Sequence, residues 1–150
     1  MKRIKLEEIT GLTGVPFIIP MFDETDKPIT KMVPVFDTDG KVVRQSEEYD
    51  VLMTKNLLDI LAHFILRGIP AKSYTKKDAI HVGNIYRSIA EARKDTTEVL
   101  ELGEDDHDWL KNKLNDEAIG VKMFMRNIPI VLDAVDNIIK PHQPKVEEKV

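Results

Sequence analysis

The chain of 150 residues is 42 % hydrophobic and 32 % charged, a composition that is typical of one globular domain and excludes a disordered chain. Acidic residues outnumber basic residues by 26 to 22, for a formal net charge of −4, which disfavours nucleic acid as a partner. The chain contains no cysteine, which excludes thiol catalysis, cysteine-based zinc sites and disulfide scaffolds.

The same composition predicts a soluble, cytoplasmic protein that makes no membrane contact. No stretch approaches the roughly 18 uninterrupted apolar residues that cross a bilayer, and the richest one, 57–66, contains Asp59 and His63. The basic start, 1–5, runs into the acidic segment 6–8, where a signal peptide needs an apolar run.

The first third of the chain repeats an apolar segment followed by aspartates. Residues 19–26 read IPMFDETD and residues 33–39 read VPVFDTD. Gly40 completes an Asp-Thr-Asp-Gly sequence that a tight hairpin turn selects. Asp37 and Asp39 also resemble the start of a calcium-binding loop, but the later carboxylates and the glycine at the sixth position of that loop are missing, so we interpret them as turn residues.

These repeats predict a β-rich head. We expect strands at 17–22, 29–36 and 41–45, joined as a three-stranded antiparallel meander. Pro20 and Pro34 should mark edges or strand ends, because proline has no N–H to donate to a ladder.

Helical patterns fill the rest of the chain. Residues 55–66, after Thr54 and before Gly68, predict a helix that is buried on several sides. His63 within it is interpreted as a core residue. A second helix is predicted from Thr75, a capping residue, to about Arg93.

Three further features concern the second helix and the segments after it. Gly83 interrupts that helix, which indicates a close crossing with another helix. Residues 99–102 predict a short strand or an extended connector, and the acidic run 104–108 suits the start of a helix because carboxylates complement the helix dipole. Pro129 should begin a last helix or kink a continuing one.

The predicted fold class is α+β. The meander is expected to pack on a bundle of four to five short helices, within one domain spanning 1–140. The head occupies about 9–46 and the helical body about 52–140, and the charged, proline-containing segment 141–150 is predicted to be a mobile tail.

Two groups of residues are candidates for binding. Thioethers repack against varied partners, so Met123, Met125 and their neighbour Phe124, together with Trp109, are candidates for a partner-binding surface, although such clusters more often form cores. We predict no catalytic, cofactor or metal site, because the histidines lack partners at metal-binding spacing. A local basic face is the second candidate; it would use Lys72, Lys76, Lys77, Arg87, Arg93 and Lys94.

Three segments carry a resemblance to a known group of proteins. They read LTGVPF at 12–17, LMTK at 52–55 and VLEL at 99–102, and their layout resembles that of small bacteriophage and provirus accessory proteins over about 9–139. The longer head, the doubled turn at 20–40 and the extended tail depart from that layout. The resemblance implies a viral setting, in the host cytoplasm or the virion, and a role in particle assembly or host interaction.

The leading hypothesis is a non-enzymatic protein–protein interaction module whose partner is a viral structural protein or a host protein. Apolar helix faces are also compatible with a homo-oligomer. The alternative is a nucleic-acid-associated regulator that acts through the basic face. An enzyme built on Asp37, Asp39, His107 or 104–108 is disfavoured, because nothing in the sequence makes an acid and a base converge.

Overall fold

The computed structural model describes residues 1–20, 27 and 29–140, and these form an α+β fold, as predicted. The first predicted turn, within 23–28, lies largely outside the described residues, as does the segment 141–150. The described strands and α-helices are β1 (Lys2–Lys5), β2 (Phe17–Pro20), β3 (Thr30–Phe36), β4 (Val42–Tyr49), β5 (Val51–Thr54), α1 (Leu57–Arg67), α2 (Lys76–Lys94), β6 (Val99–Leu102), α3 (Glu104–Asn115), α4 (Gly120–Phe124) and α5 (Ile128–Val135), with 3₁₀ helices at Ala71–Ser73 and Met125–Asn127.

The strands pair as two-stranded antiparallel ladders, β1 with β6, β2 with β5 and β3 with β4. The predicted three-stranded meander is therefore wrong. β4 and β5 are separated by Asp50 alone, and they pair with β3 and β2, respectively. The N–H of Asp50 donates to the carbonyl of Ile29 at 2.7 Å, between the two ladders. The prediction failed because β4 continues through polar residues 45–48, which carry no apolar alternation.

The β1–β6 ladder joins the N-terminal segment to the strand that follows α2. Residues 99–102 form a strand, one of the two predicted alternatives, and Leu100 on it lies opposite Ile4. Both side chains are fully buried. The sequence did not reveal β1, because Ile4 is its one apolar residue among three basic ones. The N–H of Ile139 donates to the carbonyl of Arg3 at 2.7 Å, so the chain after α5 also docks on β1.

Helices α1 and α2 begin with polar caps. The side chain of Asn56, rather than that of Thr54, accepts the N–H groups of the first turn of α1. Thr75 and Asp78 form the expected capping box at the start of α2. The predicted helix crossing at Gly83 is wrong, because a Cβ at this position would meet nothing within 4 Å.

The core lies between the helices and the ladders that contain β1, β2 and β6. The ring of Phe124 lies 5.7 Å from that of Phe64 and 6.2 Å from that of Phe17. Gly120 begins α4 where a Cβ would overlap the backbone of Leu114, so glycine permits the close approach of α3 and α4. Pro129 lies in the first turn of α5, as predicted. None of the described helices is long and apolar enough to cross a membrane.

Candidate interaction surfaces

The first surface is a β-hairpin formed by β3, β4 and the turn between them, residues 30–49, called the ribbon below. Its turn has the predicted chemistry. The carboxylate of Asp37 accepts the N–H of Asp39 at 2.8 Å and that of Lys41 at 2.9 Å. Gly40 adopts a φ of 81°, in the left-handed region that glycine favours. Asp37 therefore serves the turn, as interpreted from the sequence.

The ribbon carries apolar side chains that the core does not cover. No residue from 30 to 49 is buried. Residues that lie opposite one another in a ladder, and those two positions along, share one face. The register places Met32, Phe36, Val42 and Tyr49 on the same face, and these side chains are 54 to 66 % exposed. The polar residues Thr30, Gln45 and Glu47 share this face with them. The four apolar side chains are called the apolar face of the ribbon.

The outer edges of the ribbon differ in what they offer a partner. A two-stranded ladder leaves one side of each strand unpaired. The N–H of Asp50 points inward, to the carbonyl of Ile29. Along an antiparallel strand, the main-chain N–H and C=O groups of successive residues point alternately toward the paired strand and away from it. Gln45 lies five residues before Asp50, so its main-chain groups point outward. Gln45 lies opposite Pro34. Because proline has no N–H, the β3 edge is interrupted, whereas the β4 edge keeps its donors.

The second surface is an open groove of about 630 Å³ between the end of α1, the first 3₁₀ helix and α4. Met125 is 70 % exposed and has a φ of 50°, a backbone conformation that residues other than glycine rarely adopt. Residues that line this methionine groove include Arg67, Lys72, Ile119, Lys122, Met123 and Met125.

The candidate partner-binding residues do not lie together. Met123 and Met125 line the methionine groove, but Phe124 between them is only 5 % exposed and packs in the core. Trp109 is 8 % exposed. The side chains of Phe124 and Trp109 are therefore not available to a partner. They belong to the core, which was the alternative interpretation of the methionine and aromatic cluster.

Trp109 belongs to a buried polar cluster. Its indole N–H donates to Asp78 at 2.9 Å, and the ammonium of Lys113 lies 3.4 Å from the same carboxylate. Burial by itself raises the pKa of Asp78, but the hydrogen bonds from Trp109 and Thr75 and the charge of Lys113 outweigh it and lower the pKa to about 2. The ring of His81 stacks on Trp109. The cluster joins α2 to α3.

The acids and histidines considered for catalysis are engaged separately. The Nδ1 atom of His81 lies 2.8 Å from Asp106, while His107 is buried with Nε2 3.0 Å from the carbonyl of Val135. His63 is also buried. In the part of the chain that the structure describes, no three His, Asp or Glu side chains are grouped as metal ligands.

The candidate basic face is divided. Lys72 lies in the methionine groove, and Arg93 donates to Asp59 at 2.7 Å. Lys76, Arg87 and Lys94 are exposed and share one side of α2, because they are separated by nearly whole helical turns. Lys77 is exposed about a quarter turn away from that side. The remaining stripe thus holds three of the six predicted cations.

Several residues of these surfaces were not predicted from the sequence. Val42 lies inside the predicted third strand, 41–45, but was not named as a surface residue, Tyr49 lies beyond the end of that strand, and Lys122 was not considered. The continuation of extended structure through 45–50 has no apolar periodicity that would have revealed it.

Comparison with protein-family models finds no matching family, and comparisons with curated proteins and with solved structures find no match.

Proposed function

We propose that the protein is a non-enzymatic protein–protein interaction module that captures a partner through the ribbon. The observation that carries this proposal is the exposed apolar face on a hairpin outside the core. An isolated two-stranded hairpin is marginally stable in water, and large apolar side chains that are exposed together on one face are typical of an interaction site. A partner that covers this face would stabilise the ribbon and bury its apolar side chains.

The edge of β4 suits addition of a partner strand. Main-chain hydrogen bonds to an exposed edge supply affinity, and side chains on one face supply selectivity. Because Pro34 interrupts the β3 edge, the partner strand is assigned to β4. The layout that resembles phage and provirus accessory proteins supports a partner among viral structural or host proteins, in particle assembly or host interaction.

The edge can be tested by a matched pair of variants at one position. Gln45→Pro removes the outward N–H and leaves the ladder to β3 intact, whereas Gln45→Ala keeps that N–H. Tagged wild-type and variant proteins are used to capture partners from nuclease-treated extract of the source cell or infected host, followed by mass spectrometry. We expect a stoichiometric protein that wild type and Gln45→Ala retain and that Gln45→Pro binds about tenfold more weakly.

Thermal unfolding of both variants checks that the fold is unchanged. Equal retention by Gln45→Pro would exclude the β4 edge as the binding site. Recovery of nucleic acid alone from untreated extract, lost at high salt, would favour the regulator instead. A wild-type dimer that Gln45→Pro dissociates, measured by light scattering, would identify a second copy of this chain as the partner.

A further inference from the structure

The methionine groove has an apolar floor. Ile69 and Ile119 are buried beneath it, and Met123 and Met125 line its open side. Its volume of about 630 Å³ lies within the range of ligand-binding pockets. Thioether side chains are flexible and polarisable, so they fit apolar groups of differing shape. The groove can therefore bind apolar side chains of different shapes, because the methionine side chains adjust to them.

The rim of the groove is cationic. Arg67, Lys72 and Lys122 line it, and none of the described Asp and Glu residues does. Within the described residues, neither Lys72 nor Lys122 forms an ion pair. The chain as a whole has a net charge of −4. This concentration of positive charge is thus a local exception, and it is complementary to an anionic partner.

The backbone at Met125 supplies an independent observation. Its φ of 50° and ψ of −124° lie where glycine is favoured and a residue with a Cβ is strained. Folding alone would favour glycine at this junction of α4 and the second 3₁₀ helix. The methionine side chain is instead projected into solvent at the groove. A strained residue with an exposed apolar side chain is typical of a binding site.

We propose that the methionine groove binds a peptide segment of a partner protein in which apolar side chains are flanked by two or more carboxylates. The apolar side chains would lie on the isoleucine and methionine floor, and the carboxylates would pair with Lys72 and Lys122. A fatty acid is disfavoured because it carries one carboxylate for the two lysines Lys72 and Lys122 and because the groove is open. A nucleic acid strand is disfavoured because, among the described residues, no aromatic side chain lines the groove for base stacking.

The test selects short random peptides displayed on yeast against the full-length protein. We expect enrichment of sequences with Leu, Ile or Phe between Asp or Glu residues. The enriched peptides, made with a fluorescent label, should bind wild type and lose affinity about tenfold with Lys72→Glu and with Lys122→Glu, and binding should weaken as salt rises. Lys94→Glu, an exposed lysine on α2, is the matched control and should bind as wild type.

Met125→Gly separates recognition from folding. It relieves the strained backbone and removes the projecting side chain, so its melting temperature should equal or exceed that of wild type while peptide affinity falls. Gln45→Pro should bind the peptides as wild type, because this site is distinct from the ribbon. Enrichment without acidic residues, no enrichment, or unchanged affinity in both charge reversals would overturn the proposal. Competitive displacement of the peptides by decanoate at lower concentration than by unlabelled peptide would assign the groove to a fatty acid.

Discussion

The ribbon and the helical core use the same kind of side chain in opposite ways. Phe64 is fully buried and packs against Phe124, whereas Phe36 at the end of β3 is mostly exposed. Full burial of a phenylalanine contributes about 1.5–3 kcal/mol, and an exposed one contributes little. The stability of this protein therefore resides in the core, while the apolar side chains of the ribbon remain available for a partner.

Paired truncations give the largest expected contrast between the two regions. Phe64→Ala should reduce the free energy of unfolding by about 3–5 kcal/mol, because it leaves a cavity between α1 and α4. Phe36→Ala should change it by less than about 0.5 kcal/mol. Urea unfolding followed by circular dichroism measures both. A loss for Phe36→Ala comparable to that for Phe64→Ala would show that the ribbon contributes to the folding of the core.

Carboxylates in the two regions should differ in how they respond to pH. The folded-state pKa of Asp78 is about 2, below its ordinary value of 3.8. Its charge therefore stabilises the fold by about 2 kcal/mol above pH 4, and this contribution is lost as the pH falls through 2. Asp78→Asn should cost about that amount at pH 7 and progressively less as the pH falls below about 4.

Asp39→Asn is the matched change in the exposed turn of the ribbon. It should alter the free energy of unfolding by less than about 0.5 kcal/mol at pH 7. The measurement is urea unfolding of both variants and wild type across this pH range. A constant difference between wild type and Asp78→Asn at all pH values would contradict a lowered pKa of Asp78.

Gly40→Ala should act on the ribbon alone. A side chain at a φ of 81° costs about 1–2 kcal/mol in this left-handed conformation. Because the ribbon lies outside the core, hydrogen exchange should accelerate at the amides of 30–49 while the global melting temperature changes little. If the melting temperature falls by the full amount instead, the ribbon and the core unfold together.

Gly83→Ala should have a smaller effect than Gly40→Ala and the opposite sign. The position is in the middle of α2, and a Cβ there would meet no atom of the described residues within 4 Å. Alanine is favoured over glycine in a helix by about 0.8–1 kcal/mol, so the melting temperature should rise. A fall, measured by differential scanning calorimetry, would show that another surface approaches α2 at Gly83, for example in a dimer.

Local signals were predicted well from the sequence. The capping box at Thr75 and Asp78, the turn at Asp37 and Gly40, and the start of α5 at Pro129 follow from chemistry between residues a few positions apart. Such interactions depend on the identities of near neighbours. They need no knowledge of the remaining chain.

Non-local signals were predicted poorly. The Met123–Met125 segment was one candidate surface in the sequence, but Phe124 at the end of α4 is buried in the core, whereas Met125, where the helix is broken by a positive φ, is exposed. The indole of Trp109 meets Asp78, which lies 31 residues earlier. The cationic rim combines Lys72 and Lys122 from separate segments. The apolar periodicity within each segment does not indicate these contacts between residues that are distant in the sequence.

The amino-acid sequence by itself determined the α+β class, the helical segments, the capping box of α2 and the hairpin turn, because apolar periodicity and side-chain-to-backbone hydrogen bonds act locally. The tertiary structure decided which strand pairs with which, placed the apolar side chains of 30–49 outside the core, and assembled the methionine groove. Strand pairing and surface assembly depend on competition among distant segments for the same core. That competition is resolved only when the whole chain packs.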